Sequence, residues 1–198
     1  MVQYLERSDT SLREAKPTIF GYIVRELSVA MFDFIQNLFK TLPAVHLRPP
    51  GARDESGLLA TCIKCGRCVE VCPYQSIFLA PYSQWILYGT PLIDPLKQPC
   101  YLCMKCPAVC PTGALKPVIK AETSMGLAKV IEESCLSYQD TLCNLCYRHC
   151  PLKGKAITLD EELRPVIINE SCVGCGVCLY VCPTESKSIT LNANGRKI

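Results

Sequence analysis

Charge of one sign is scarce in this chain. Over 198 residues, 21 Lys and Arg stand against 18 Asp and Glu, a formal net charge of +3. Short basic clusters at Lys153–Lys155 and Arg196–Lys197 read as solvated faces, so nucleic acid is not an expected partner. Histidine occurs twice, at His46 and His149, and tryptophan once, at Trp85. There is no Gly-rich nucleotide loop. The first fifteen residues contain Glu6, Asp9 and Glu14 and no apolar run, so no secretory signal is expected. No twin arginine precedes the apolar segment that follows. That segment, residues 19–40, is interrupted by Arg25, Glu26 and Asp33, whereas a membrane span takes about 20 predominantly apolar residues. The expected location is therefore cytoplasmic, where thiols stay reduced and bind metal rather than pair.

Cysteine, by contrast, is abundant and ordered. Sixteen residues fall into four groups of four, each ending in Cys-Pro: Cys62, Cys65, Cys68, Cys72; Cys100, Cys103, Cys106, Cys110; Cys135, Cys143, Cys146, Cys150; and Cys172, Cys175, Cys178, Cys182. Three groups have the spacing C-x2-C-x2-C-x3-C-P, the run that ligates [4Fe–4S] clusters in ferredoxins. The third stretches its first interval to seven residues. No cysteine is left over. Four thiolates per cluster then imply four [4Fe–4S] clusters, with all sixteen cysteines as iron ligands and no side chain assigned to catalysis. Zinc ribbons also use cysteine pairs, but they rarely place three cysteines at two-residue intervals with a fourth and a proline behind them.

The spacing also suggests which cysteines share a cluster. The compact C-x2-C-x2-C loop wraps three irons, while the fourth cysteine, carried away by the following helical turn, ligates the other cluster of a pair. Cys72, Cys110, Cys150 and Cys182 are thus each expected to serve a cluster other than that of their upstream neighbours. Motifs one and four are near twins, Cys65-Gly66 and Cys175-Gly176 each leading to Val-Cys-Pro. Their likeness favours a nested arrangement with motifs two and three as the inner pair; sequential pairing is the alternative. The residue after the second cysteine is Gly66, Met104, Asn144 and Gly176. Gly and Asn most readily take positive φ, so a left-handed turn is expected at three of these and a different bend at Met104.

Along the chain, residues 1–45 read as a polar tail and an amphipathic helix over 19–40, with Phe20, Ile23, Val24, Leu27, Met31, Phe34, Ile35 and Leu38 at three- and four-residue steps. Docking to a catalytic subunit or self-association is one reading of this helix, packing on the core another, and a membrane surface is not favoured for want of Lys and Arg. Residues 46–198 form the four-cluster domain, entered through Arg48-Pro49-Pro50-Gly51-Ala52 as an extended connector. Its motifs, 62–73, 100–111, 135–151 and 172–183, recur about every 35 residues. Short apolar runs at 76–80, 114–119, 127–131, 156–159, 166–168 and 188–191 are the expected strands. The fold class is α+β: two fused bacterial-type two-[4Fe–4S] ferredoxin-like units behind an N-terminal amphipathic helix. His149 reads as a surface residue, with a hydrogen bond to a cluster sulfur or proton transfer at reduction as the alternative, and His46 as an inert residue of the connector. Lys64 and Arg67 read as charges beside the first motif, and Trp85 with Tyr82 and Tyr88 as packing for the insertion between motifs one and two.

Features outside the cysteines carry a family likeness. These are His46-Leu47-Arg48-Pro49-Pro50-Gly51-Ala52, Gly89-Thr90-Pro91, Cys110-Pro111-Thr112-Gly113-Ala114-Leu115, Met125-Gly126-Leu127-Ala128, and Glu133-Ser134-Cys135 through Cys143-Asn144-Leu145-Cys146-Tyr147-Arg148. In order and spacing this resembles the four-cluster ferredoxin-type proteins of the NapG/MauM kind, over about residues 46–190. The resemblance implies a polyferredoxin that relays single electrons between a catalytic oxidoreductase subunit, of tungsten/molybdenum or flavin type, and another redox partner. Two alternatives are a quinol- or nitrate-reductase-type ferredoxin at the membrane, and a catalytic iron–sulfur subunit. The second would need an open iron site, which sixteen cysteines for sixteen irons do not leave.

Overall fold

The computed structural model describes residues 47–193. The helix expected over 19–40 and the tail before it lie outside them. Regular elements are short because each motif interrupts the backbone after a few residues. The helices are α1 (Glu55–Thr61), α2 (Arg67–Glu70), α3 (Lys105–Ala108), α4 (Leu145–His149) and α5 (Val177–Val181). The strands are β1 (Phe78–Leu79), β2 (Pro91–Leu92), β3 (Leu127–Val130), β4 (Ile157–Leu159), β5 (Pro165–Ile167) and β6 (Ile189–Asn192). Among the described residues no helix is long and apolar enough to cross a membrane.

Helices α2 to α5 are one device used four times. Each begins just after the second cysteine of a motif and carries the third. Cys-Pro follows, and the residue before proline is pushed to extended backbone: Cys150 and Cys182 have φ −64° and −63° with ψ 125° and 124°. Helix α1 is capped differently. The Asp54 carboxylate accepts from the Gly57 amide and the Ser56 hydroxyl, Glu55 lies in the first turn, and Leu58 is wholly buried.

The strands pair only as antiparallel twos: β1 with β2, β3 with β6, β4 with β5. In the second half, β3 precedes motif three and β6 follows motif four, in register Leu127↔Asn192 to Val130↔Ile189. The β4–β5 hairpin lies between those motifs. The first half repeats this plan in reduced form: β1–β2 is the inner hairpin, and the outer pairing is a single bridge, Ala52↔Leu115. Of the expected strands, 114–119 contributes only that bridge, while β2 was hidden by its two-residue length and its proline.

Residues 47–53 are not a free connector. Leu47 exchanges hydrogen bonds with Ile93 at 2.9 and 2.8 Å, the Arg53 amide donates to the Ala114 carbonyl at 3.1 Å, and the Lys116 amide donates to the Gly51 carbonyl at 2.7 Å. Arg48 is 2% exposed. Its guanidinium forks onto Glu55 and also donates to Thr90 Oγ1 at 2.9 Å and to the Pro91 carbonyl at 2.8 Å. The apolar core is interleaved with cysteines: Leu47, Leu58, Ile77, Ile93, Leu102, Leu115, Met125, Val177 and Ile189 pack beside Cys72, Cys100, Cys106, Cys146, Cys172, Cys175 and Cys182.

The two halves meet at the motifs themselves. The Cys100 amide donates to the Cys175 carbonyl at 3.0 Å. Gly176, at φ +82°, lies so close to Pro95 that an added Cβ would stand 2.5 Å from the proline Cβ. At Gly174, φ +69°, an added Cβ would lie 2.3 Å from the Gly126 carbonyl carbon. Both positions need glycine for the backbone angle and for the approach.

Candidate cluster-binding sites

Each cysteine loop bends to face inward. In the three regularly spaced motifs the residues on either side of the second cysteine are both left-handed: Lys64 (φ 58°) and Gly66 (φ 76°), Leu102 (φ 54°) and Met104 (φ 59°), Gly174 (φ 69°) and Gly176 (φ 82°). Asn144, in the stretched motif, has φ −131°. Two expectations are therefore corrected. Met104 takes the left-handed turn despite its side chain, and Asn144 does not take it. The motifs differ in the interval before the second cysteine: where it has two residues, Lys64, Leu102 and Gly174 are left-handed just before that cysteine, whereas the seven residues before Cys143 place their left-handed residue at Asp140, φ 55°.

The loops close around four cavities, each lined by four cysteines. Site 1 has Cys62, Cys65, Cys68 and Cys110 around about 390 Å³ of empty space. Site 2 has Cys72, Cys100, Cys103 and Cys106 around about 300 Å³. Site 3 has Cys135, Cys143, Cys146 and Cys182 around about 320 Å³. Site 4 has Cys150, Cys172, Cys175 and Cys178 around about 410 Å³. All sixteen cysteines are used once, and each Cys-Pro cysteine stands with another motif's three. Pairing is sequential: motif one exchanges its fourth cysteine with motif two, and motif three with motif four. The nested arrangement is thereby corrected. Likeness between motifs one and four reflects the local turn each makes; partnership is decided by hairpins that return the chain beside its immediate predecessor.

Tests of fit are met within the chain. Each cavity presents four cysteine sulfurs and, among the described residues, has no histidine or carboxylate in its lining, with apolar walls such as Ile157, Ile167 and Val177 at site 4. Among the described residues no three acidic, histidine or cysteine side chains are spaced for a single metal ion. Burial pushes thiols up, to about 11 at Cys68 and Cys146 and about 12 at Cys100 and Cys175, while the amides of Val69, Tyr147, Leu102 and Val177 oppose it at those sulfurs. An inward amide stabilises negative charge on a ligating sulfur. Cys110 and Cys182 go the other way. Burial raises them too, but at Cys110 the Leu115 amide, 3.4 Å from Sγ, and Thr112 outweigh it. At Cys182 the Thr184 hydroxyl, 3.1 Å from Sγ, and neighbouring Thr184 and Ser188 groups do so.

Adjacency orders the sites. Helices α2 and α3 pack on each other, linking sites 1 and 2, and α4 and α5 pack on each other, linking sites 3 and 4. The Cys100–Cys175 hydrogen bond links sites 2 and 4. The order is thus 1–2–4–3, with motif three at one end although it lies third in sequence.

Other expected residues fall as follows. His149 is exposed, its Nδ1 3.0 Å from the Leu145 carbonyl, away from sulfur. Lys64 and Arg67 are exposed on the rim of site 1. Trp85 and Tyr82 do not pack the insertion: they are 79% and 80% exposed, with Ile63 and Ile86 also out in solvent. Tyr82 meets Tyr88 edge-on at 5.7 Å, and the Lys64 ammonium sits 5.6 Å from the Tyr88 ring. Sequence reading missed Thr112 and Thr184; Cys-Pro-Thr occurs only in motifs two and four and was the available signal.

Residues 61–114 and 141–186 each match the 4Fe-4S dicluster domain family. The first match contains motifs one and two, and the second begins between Cys135 and Cys143, inside the stretched interval. Over 140 residues the chain is 40% identical to the methylamine utilization ferredoxin-type protein MauM of Paracoccus denitrificans, covering 65% of this chain and 62% of that protein. It is 36% identical over 159 residues to MauM of Methylorubrum extorquens, covering 74% and 71%. Identity to the ferredoxin-type protein NapG of Escherichia coli is 38% over 145 residues, covering 66% and 63%. The chain thus spans somewhat less than two thirds of the Paracoccus and Escherichia proteins.

Proposed function

The chain belongs to the 4Fe-4S dicluster ferredoxin family of the MauM and NapG type and carries four [4Fe–4S] clusters, and from this we propose that it is an electron relay between redox partners, with sites 1, 2, 4 and 3 in that order. One cluster per site takes up and gives back a single electron. The sixteen cysteines hold them in the sets lining the four cavities. The chain's own contribution is spacing and environment. Cysteines exchanged between motifs lock sites 1 and 2 together and sites 3 and 4 together. The Cys100 amide on the Cys175 carbonyl ties the pairs into one path. Apolar walls keep water away and amides hold the sulfur charge.

The observation that carries this reading is the use of all sixteen cysteines in four shared cavities whose order is continuous. Partners dock at the ends. At site 1, Cys65 is exposed and Ile63, Tyr82, Trp85 and Ile86 offer an apolar surface beside it. We assign a catalytic oxidoreductase subunit, of tungsten/molybdenum or flavin type, as the partner class and the cytoplasm as the working location, the latter because thiols stay reduced there. The test is anaerobic isolation of the native complex with iron and sulfide assay. About sixteen irons per chain and a co-purifying oxidoreductase are expected. Zinc in place of iron, or a free monomer with no redox partner, would overturn the reading.

A further inference from the structure

We propose that the relay is graded from its ends inward, Thr112 and Thr184 holding the two outer sites at higher reduction potential than the inner pair. The inference rests on the cluster assignment above. Reduction adds negative charge to a site that is already anionic. Hydrogen bonds to its sulfurs, nearby cations and solvent all favour the reduced form, and dry apolar surroundings oppose it.

These influences are unevenly distributed. Sites 1 and 3 receive their fourth cysteine from Cys-Pro-Thr, sites 2 and 4 from Cys72-Pro73-Tyr74 and Cys150-Pro151-Leu152. The Thr184 oxygen stands 3.1 Å from Cys182 Sγ and the Thr112 oxygen 3.8 Å from Cys110 Sγ. Thr184 has one hydroxyl proton and two neighbours. Ser188 donates its own proton to the Ser134 carbonyl at 2.6 Å, and its amide donates to the Thr184 oxygen at 2.9 Å. A ligating Cys182 thiolate, being charged, therefore takes the Thr184 proton over the neutral Ser188 oxygen. Tyr74 and Leu152 offer no hydroxyl at the equivalent place: leucine has none, and the tyrosine ring is turned onto Tyr101 at 4.6 Å.

Cations add to this at site 1 and, at longer range, at site 3. The Lys187 ammonium donates to the Cys182 carbonyl at 2.6 Å beside site 3. Lys64 and Arg67 line site 1. Among the described residues, sites 2, 3 and 4 have no charged side chain in their lining, so the cation contribution is largest at site 1 and reaches site 3 only through Lys187. Exposure separates site 1 from site 2 further, since Cys65 is exposed whereas Cys72, Cys100 and Cys106 are buried. Each site changes by one electron with no change of ligand. A two-electron donor therefore fills the two outer sites, one electron each, and a one-electron acceptor draws from either end.

The test is a redox titration of the intact four-cluster protein followed by electron paramagnetic resonance. A soluble dysprosium complex marks the exposed clusters, and iron and sulfide are counted in every sample. Thr184→Val is expected to shift one midpoint to lower potential, and Thr112→Val another by less, its oxygen being farther away. Leu152→Thr, which copies Cys-Pro-Thr at site 4, should shift a third upward. Thr184→Ser should keep the wild-type value, as should Thr190→Val, whose hydroxyl is directed at the Lys129 carbonyl. In the wild type, the clusters reduced first should include the one most broadened by dysprosium. Unchanged midpoints in the two valine variants with four clusters present, or a shielded pair that is reduced first, would overturn the grading. A wild-type count below four clusters would instead overturn the assignment beneath it. Should Thr184→Val lose its cluster, Thr112→Val and Leu152→Thr decide the matter alone.

Discussion

Arg48 shows how much of this small fold hangs on single polar residues. Its guanidinium is buried between Glu55, Thr90 and the Pro91 carbonyl, joining the chain before α1 to strand β2. Arg48→Met leaves a buried hydroxyl and a carbonyl without their donor, and is expected to cost about 2 kcal/mol. Denaturant titration of the anaerobic protein, compared with wild type, measures it. Asp160 offers a pH-dependent case. Burial would raise its carboxyl, but hydrogen bonds and charge from Arg164 hold it below the usual carboxylate range. A lowered folded value contributes stability above the unfolded value, which is lost only as pH falls through the folded one. Asp160→Asn should therefore melt below wild type by the same margin throughout about pH 5.5 to 8, since both values lie near or below about 4. A gap that closes as pH is lowered within that window would contradict the assignment. Gly66 and Gly176 were legible as left-handed residues from their type and place. Met104 and Asn144 were not, because the turn follows the length of the interval before the second cysteine rather than the type of the residue after it.

At the scale of elements, the exchange of Cys-Pro cysteines between neighbouring motifs makes an unusual expectation for double variants. Cys62 and Cys110 are far apart in sequence but line one cavity. Cys62→Ser with Cys110→Ser should therefore disable one cluster, and iron should fall from about sixteen to about twelve per chain. Cys103→Ser with Cys110→Ser, though both lie within motif two, should disable two. Were motifs one and four partners instead, the first pair would also remove two clusters. The stretched motif has its own fastening: Arg164 from the β4–β5 hairpin lies 5.2 Å from the Tyr138 ring and is paired with Asp160 and Glu162. Arg164→Met should hasten loss of the site 3 signal in air while sites 1 and 2 keep wild-type rates. Most strands could be read from short apolar runs, since a buried strand needs little more. Strand β2 could not, because it is two residues long, begins with proline and comes from the far side of an insertion.

Across the whole molecule, the order 1–2–4–3 gives the inner pair a different status from the ends. Electrons entering at site 1 reach site 3 only through sites 2 and 4. Cys100→Ser, which removes a ligand of site 2, should leave sites 3 and 4 intact yet slow the reduction of site 3 by a donor bound at site 1, read by freeze-quenched paramagnetic resonance. The number and kind of cofactor followed from the chain alone, because ligand chemistry is local: sixteen thiols at those intervals, each group closed by proline, suit [4Fe–4S] clusters and leave nothing over. Which cysteines line one cavity, which cavities are neighbours, and which two lie inside are decided by tertiary contacts between segments far apart in the chain, above all the Cys100–Cys175 hydrogen bond and the close approach of Gly176 to Pro95. Repeat likeness pointed to the wrong partners because a motif encodes its own turn, while the path taken by the hairpins between motifs decides whose fourth cysteine comes within reach.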